Sequence, residues 1–90
     1  MEFDKLDFVS YDESRPAKEL IEQFKDNYSK AYQKMSMMRK AGFDTTLIGM
    51  MLARVPSKIK LFEASEENKD AVVTKRYLNE AIEELNNMKH

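Results

Sequence analysis

The chain offers few side chains that could carry out chemistry, and their spacing keeps them apart. Its only histidine is the last residue, His90, and it contains no cysteine. A lone histidine without a neighbouring carboxylate or thiolate forms neither a metal site nor a catalytic triad. The absence of cysteine also removes thiol nucleophiles and gives no sign of an oxidising compartment. We therefore expect no metal site, no cofactor and no small-molecule substrate.

Four of the ten glutamates form two adjacent pairs, Glu66–Glu67 and Glu83–Glu84. Neighbours in sequence point to different sides of a helix, so the members of a pair do not face one substrate. Such pairs more often form a solvated face than a catalytic dyad. The chain also lacks a glycine-rich phosphate loop and a nucleophilic serine elbow. We expect a non-catalytic protein.

Charge gives a clearer functional signal, because the net charge of −1 conceals a basic middle segment. Residues 30–60 contain one acid and seven bases. The bases are Lys30, Lys34, Arg39, Lys40, Arg54, Lys58 and Lys60. Clustered bases can contact nucleic-acid phosphates, and a nucleic-acid-associated accessory protein is our alternative function. The balance of charge over the whole chain and the lack of a recognisable reading motif favour solvated or paired bases instead.

A second signal comes from large apolar residues predicted to lie outside the core. Met37 falls off the apolar face of its helix, and Met50, Arg54 and Leu61 fall on the side of the next helix away from the core stripe. Apolar side chains around an arginine are typical of partner-binding surfaces, and methionine packs against varied partners. We predict that these four residues bind a partner; scattered exposure without function is the alternative.

The elements that must position these residues are helices. Between residues 43 and 62 the apolar residues recur every three or four positions, at Ile48, Leu52, Val55, Ile59 and Phe62. This phase continues through Pro56, whose missing amide and bulky ring disfavour a regular helix interior. We predict a middle helix over residues 45–64 that kinks near Pro56; the alternative is a break, with Pro56 opening a second short helix.

A tight turn is predicted before the middle helix. Gly42 stands where a helix ends in a left-handed conformation, and Asp44 can accept hydrogen bonds from the free amides of the next helix. A stop followed at once by a start predicts two antiparallel helices. Within the middle helix, Gly49 and Ala53 either allow a close approach of another backbone, or Gly49 is simply a tolerated weak point.

Two further helices flank the middle one. Helix 1 is predicted over residues 15–41 and helix 3 over residues 69–88. Helix 1 carries a heptad seam of Ala17, Ile21, Phe24, Tyr28, Ala31, Met35 and Met38. Helix 1 is longer than the others by about seven residues, so the other two helices would leave ~10 Å of this apolar seam exposed to solvent. The N-terminal arm or a second copy of the chain could cover it, and we favour a homodimer.

The first thirteen residues form the arm and fit neither helical nor strand periodicity cleanly. Its apolar residues are Phe3, Leu6, Phe8, Val9 and Tyr11. Burial of each is worth ~1.5–3 kcal/mol, so we expect them to pack on the bundle, in an irregular segment or a short helix.

Together these patterns predict one all-α domain over residues 1–90, a three-helix antiparallel bundle with a kinked middle helix and a short N-terminal arm. No signal peptide is evident, and no apolar run approaches the ~18 residues of a membrane helix, so we expect a cytoplasmic protein with no membrane partner. The leading functional hypothesis is a small non-catalytic helical module for protein–protein interaction, either with itself or with another protein.

Overall fold

The computed structural model describes residues 5–88, which contain four helical segments. These are α1 (Ala17–Lys40), α2 (Thr46–Ala53), α3 (Val55–Ser65) and α4 (Asn68–Asn87). One residue separates α2 from α3, and together they make a middle helix that bends by 16° at residue 54. The predicted all-α bundle is therefore confirmed. Residues 1–4 and 89–90, which include Phe3 and His90, lie outside the described part of the chain.

The turn between α1 and α2 follows from the glycine at its start. Gly42 has φ +99°, which a side chain would disfavour. The N–H of Phe43 donates to the carbonyl of Met38 at 3.0 Å, and the N–H of Gly42 donates to the carbonyl of Arg39 at 3.1 Å. This pair of bonds is a Schellman motif, which satisfies carbonyls left free at the end of α1. The predicted helix stop at Gly42 is present.

The start of α2 is held by two side chains. Oδ1 of Asp44 accepts a hydrogen bond from the N–H of Thr46 at 3.0 Å, as expected. This bond lowers the pKa of the Asp44 carboxyl, because it stabilises the ionised form. Nε of Arg39 donates to Oγ1 of the buried Thr45 at 2.9 Å. The end of α1 and the start of α2 are thereby joined across the turn.

The proline lies where a helix tolerates it best. Pro56 is in the first turn of α3, where its missing amide leaves no hydrogen bond unmade. The chain passes from α2 to α3 through Arg54, whose N–H donates to the carbonyl of Met51 at 3.3 Å. Because the interruption is so short, the apolar phase survives it. The buried residues of the middle helix are Ile48, Leu52, Val55, Ile59 and Phe62.

The core lies between α1, the middle helix and α4. At its centre the rings of Phe24 and Phe62 pack with their centroids 5.8 Å apart, and both side chains are fully buried. From α4 the buried residues are Ala71, Thr74, Leu78, Ala81, Ile82 and Leu85. In the predicted seam of α1, Phe24, Ala31, Met35 and Met38 are buried, while Ala17, Ile21 and Tyr28 are half-buried against them.

The N-terminal arm has an irregular, extended course over residues 5–12 and is held by two asparagines of α4. The N–H of Leu6 donates to Oδ1 of Asn86 at 2.9 Å, and Nδ2 of Asn86 donates back to the carbonyl of Leu6 at 2.9 Å. Asn79 binds Val9 in the same way, at 2.7 and 3.1 Å. The arm therefore runs antiparallel to α4.

On its other side the arm meets α1, since Nε2 of Gln23 donates to the carbonyl of Ser10 at 3.2 Å. The arm thus lies in the groove between α1 and α4, whereas Ile21 and Tyr28 of the predicted seam line grooves on the side of α1 that faces α3. Val9 is buried as expected, whereas Phe8 remains 58% exposed, contrary to the expectation that it packs on the bundle. α1 begins at Ala17 rather than residue 15, because a turn precedes it.

Candidate interaction surface

Large apolar side chains line the outward side of the middle helix. Met50 is 56% exposed and Leu61 is 50% exposed, and Arg54 lies between them in sequence with its side chain in solvent. Leu47, one turn before Met50, is 60% exposed and extends the same row. With Ser57 the row has spacings of three and four residues, so its members share one face of the helix. We call Leu47, Met50, Arg54, Ser57 and Leu61 the outer strip.

The polar members of the outer strip differ in what they offer a partner. Oγ of Ser57 donates to the carbonyl of Arg54 at 3.0 Å, so this hydroxyl already serves the first turn of α3. The Arg54 guanidinium is exposed. An arginine in this setting can lay its aliphatic stem along an apolar partner while its head stays in water. The strip is thus apolar at both ends and charged near its middle.

Met37 is exposed by 57% but lies on a different side of the molecule. It follows Lys34 by three residues, and Nζ of Lys34 donates to Oδ1 of Asn86 on α4 at 3.2 Å. The middle helix packs on a different side of α1, the side that carries Met35, since Sδ of Met35 would lie 3.8 Å from a Cβ placed on Gly49. Three of the four predicted partner-binding residues therefore share a surface, and Met37 does not join them.

The seven bases of the middle segment are not gathered on one face. Lys34 is only 7% exposed and belongs to the interior beside α4. Arg39 is engaged with Thr45 in the turn. Nζ of Lys58 lies 5.2 Å from the centroid of the Tyr77 ring on α4, in a cation–π contact. These three positive charges have structural partners in different parts of the bundle.

The remaining bases are exposed but dispersed. Lys30 forms an ion pair with Asp26 at 3.1 Å on the exposed surface of α1. Lys60 lines a shallow groove with Tyr28 of α1, whereas Lys58 points to α4, so these two lysines lie on opposite sides of α3. Lys40 is exposed in the last turn of α1. Phosphates along one nucleic-acid backbone could not meet all of these side chains at once.

The groove beside Lys60 was not foreseen from the sequence. Its apolar floor is made by Tyr28, Pro56 and Ile59, and an ion pair between Lys25 and Glu63 at 3.3 Å lies at its edge. Tyr32, one turn beyond Tyr28, is 48% exposed, and the two rings are 6.2 Å apart. The spacing of four between these tyrosines is the sequence signal for a paired aromatic face. Leu47 was missed in a similar way, although it precedes Met50 by three positions.

Across residues 5–88, no three acidic or histidine side chains are arranged to hold a metal ion. None of the helices in this range is long and apolar enough to cross a membrane. Comparison with protein-family models, curated proteins and solved structures found no match for the chain.

Proposed function

We propose that this chain is a small, non-catalytic helical module for protein–protein interaction and that the outer strip is its contact surface. One observation carries the proposal: Leu47, Met50 and Leu61 are each at least half exposed on a single face of one helix. Helical anchors at spacings of three and four residues are the usual way in which one helix face docks on another. Burying this face removes apolar surface from water, which is the main driving force for association.

A second copy of the chain is the simplest partner. In a two-fold arrangement with the middle helices antiparallel, Met50 would face Leu61 of the second copy, and Arg54 would face Ser57. The two large apolar residues then meet each other, and the two guanidinium groups do not oppose each other directly. A two-fold interface requires a surface that is complementary to itself, and the outer strip has this property.

Magnitudes indicate that this association should be weak. Full burial of a large apolar side chain is worth ~1.5–3 kcal/mol, and those of the strip are already about half buried. Six such side chains in a dimer would contribute about 5–9 kcal/mol, against a cost of association of roughly 4–15 kcal/mol. We expect the mass of the protein in solution to rise with concentration rather than to be fixed.

The test is the mass in solution by light scattering over a series of concentrations. We expect a rise from 10.6 kDa towards twice that value. The double variant Met50→Glu with Leu61→Glu should stay at 10.6 kDa. Its matched control, Met37→Glu with Val72→Glu, adds the same charge at exposed apolar sites outside the strip and should associate normally.

Circular dichroism melts of both double variants establish that each is folded. A strip variant that is folded and associates as well as the original chain would refute the proposal. So would an original chain that is monomeric at every concentration and captures no other protein through the strip.

Nucleic-acid binding is the alternative, and it has less support. Its bases are spread over several sides of the bundle, and Lys34 is buried. Its test is absorbance at 260 nm of the purified protein, which stands out because the chain has no tryptophan and four tyrosines. A 260 nm signal that disappears in high salt, as phosphate contacts do, would favour this alternative.

A further inference from the structure

The groove between α1 and α4 binds the backbone of its occupant more than the side chains. Asn79 and Asn86 each bond both the N–H and the carbonyl of one arm residue, Val9 and Leu6 respectively. Seven residues of helix advance ~10.5 Å. Three residues of extended chain advance ~10 Å. The two asparagines are therefore spaced to bind an extended segment at every third residue.

Few side chains of the arm add to this binding. Val9 is 4% exposed and is the one fully buried side chain of the described arm. Leu6 and Tyr11 are half-buried, and the Tyr11 hydroxyl donates to Oδ1 of Asn68 at 2.6 Å. Phe8 points away, with 58% of its surface exposed. The buried Val9 side chain and the hydrogen bonds from Asn79 and Asn86 would hold an identical arm of another molecule equally well.

The connection from the arm to α1 is suited to opening. Residues 12–16 are all exposed. Their turn is closed by bonds among themselves, since the N–H and Oγ of Ser14 both donate to Oδ1 of Asp12, and the N–H of Arg15 donates to the carbonyl of Asp12. Arg15 precedes Pro16, and a residue before proline favours an extended backbone. Straightening this hinge breaks bonds within the turn and leaves the core intact.

We propose that the arm is exchangeable between copies: when the hinge cannot fold back, the α1–α4 groove of one chain takes residues 5–11 of a second chain in place of its own, and the second chain reciprocates. Every contact of the arm is kept in the exchanged dimer, and only the hinge changes its conformation. This proposal uses a surface different from the outer strip and does not depend on the proposed function.

In the original chain, the short hinge holds the arm near its own groove at a high effective concentration, so exchange is disfavoured. Shortening the hinge removes this advantage, because a connection that cannot span its sites prevents docking within one chain. The experiment is deletion of Glu13 and Ser14 from the otherwise full chain. We expect this shortened chain to have twice its own monomer mass by light scattering.

Second substitutions show whether the arm and the groove hold the dimer together. Val9→Asp removes the buried apolar side chain of the arm, and Asn79→Leu removes the two hydrogen bonds to the Val9 backbone. Each substitution should return the shortened chain to a monomer. Asn87→Leu is the matched control, because Asn87 is an exposed asparagine of α4 outside this set, and it should leave the dimer unchanged. The Met50→Glu, Leu61→Glu pair should also leave the dimer unchanged, which separates arm exchange from association through the outer strip.

Mixing the two disrupted chains provides the decisive result. The shortened Val9→Asp chain retains its groove and the shortened Asn79→Leu chain retains its arm, so an equimolar mixture should contain a heterodimer that neither forms alone. A shortened chain that is folded and monomeric, or a dimer indifferent to both substitutions, would overturn the proposal.

If the shortened chain does not fold, the Val9→Asp chain of full length is titrated with a labelled peptide of residues 5–14. Saturable binding that is lost on adding Asn79→Leu supports exchange. The absence of binding overturns it.

Discussion

The side-chain amide of Asn79 is bonded to both backbone groups of Val9, seventy residues away in sequence: Oδ1 accepts from the Val9 N–H at 2.7 Å, and Nδ2 donates to the Val9 carbonyl at 3.1 Å. An extended segment usually satisfies these groups by pairing with another strand. Here the helix α4 supplies the hydrogen bonds instead, through Asn79 and Asn86, which are two helical turns apart. The N–H and carbonyl groups of Leu6 and Val9 are therefore paired although the arm lies in a groove of an all-helical bundle.

Asn79→Leu should destabilise the protein. Leucine is close to asparagine in size but leaves the N–H and the carbonyl of Val9 without their partners, which costs roughly 1–3 kcal/mol in a partly buried site. The better helix propensity of leucine offsets this by less than ~1 kcal/mol. Urea denaturation should show a lower midpoint for Asn79→Leu, whereas Asn87→Leu should not fall below the original chain. Equal midpoints for the two variants would contradict this account.

Features that depend on near neighbours in sequence could be predicted. The turn at Gly42 is fixed by a residue that tolerates positive φ and by hydrogen bonds spanning three to five residues. The bond from Thr46 to Asp44 is equally local. The core stripe of the middle helix follows from helical spacing alone, so it was predicted correctly through Pro56. In each case the residues that determine the feature lie within one or two helical turns of each other in sequence.

Features that depend on distant residues were missed or misassigned. Lys34 was grouped with exposed bases, yet it is buried and donates to Asn86, fifty-two residues away. Nothing near Lys34 in the sequence indicates this partner. A weak signal for the arm site did exist, because Asn68, Asn79 and Asn86 are spaced by 11 and 7 residues and so share one face of α4. Asparagine is a poor helix former, so three on one face indicate another role.

The two glycines should respond to alanine with opposite signs. Gly42 has φ +99°, and an L-residue held in a left-handed conformation costs about 1–2 kcal/mol, so Gly42→Ala should lower stability. Gly49 lies inside α2, where a Cβ would meet Arg39 and Met35 atoms at an ordinary 3.8 Å. Gly49→Ala should therefore raise stability by about 0.5–1 kcal/mol. Thermal melts of the two variants test both predictions. A lower melting temperature for Gly49→Ala would show that close packing requires the glycine.

Glu66 is a second site of backbone strain, at the end of α3. It has φ 53°, the only positive φ of a residue other than glycine between residues 5 and 88, and its N–H donates to the carbonyl of Phe62 at 2.8 Å. A glycine there keeps this bond and removes the steric cost of the side chain. Glu66→Gly should raise the free energy of unfolding by about 0.5–1 kcal/mol. Glu67→Gly is the control, because Glu67 has φ −89° and should gain nothing.

The arm should loosen at alkaline pH through Tyr11. Burial and the nearby charge of Glu13 raise the pKa of Tyr11 above its ordinary value of 10.0. A raised pKa in the folded state means that the folded form favours the neutral phenol, so its stabilising contribution is complete below pH 10.0 and is lost as the pH rises through the folded pKa. The ionised phenolate also cannot donate to Asn68. Tyr11→Phe should therefore flatten the fall in stability above pH 10.0 seen in urea midpoints. Tyr32→Phe serves as the exposed control, and a Tyr11→Phe curve as steep as that of the original chain would contradict the assignment.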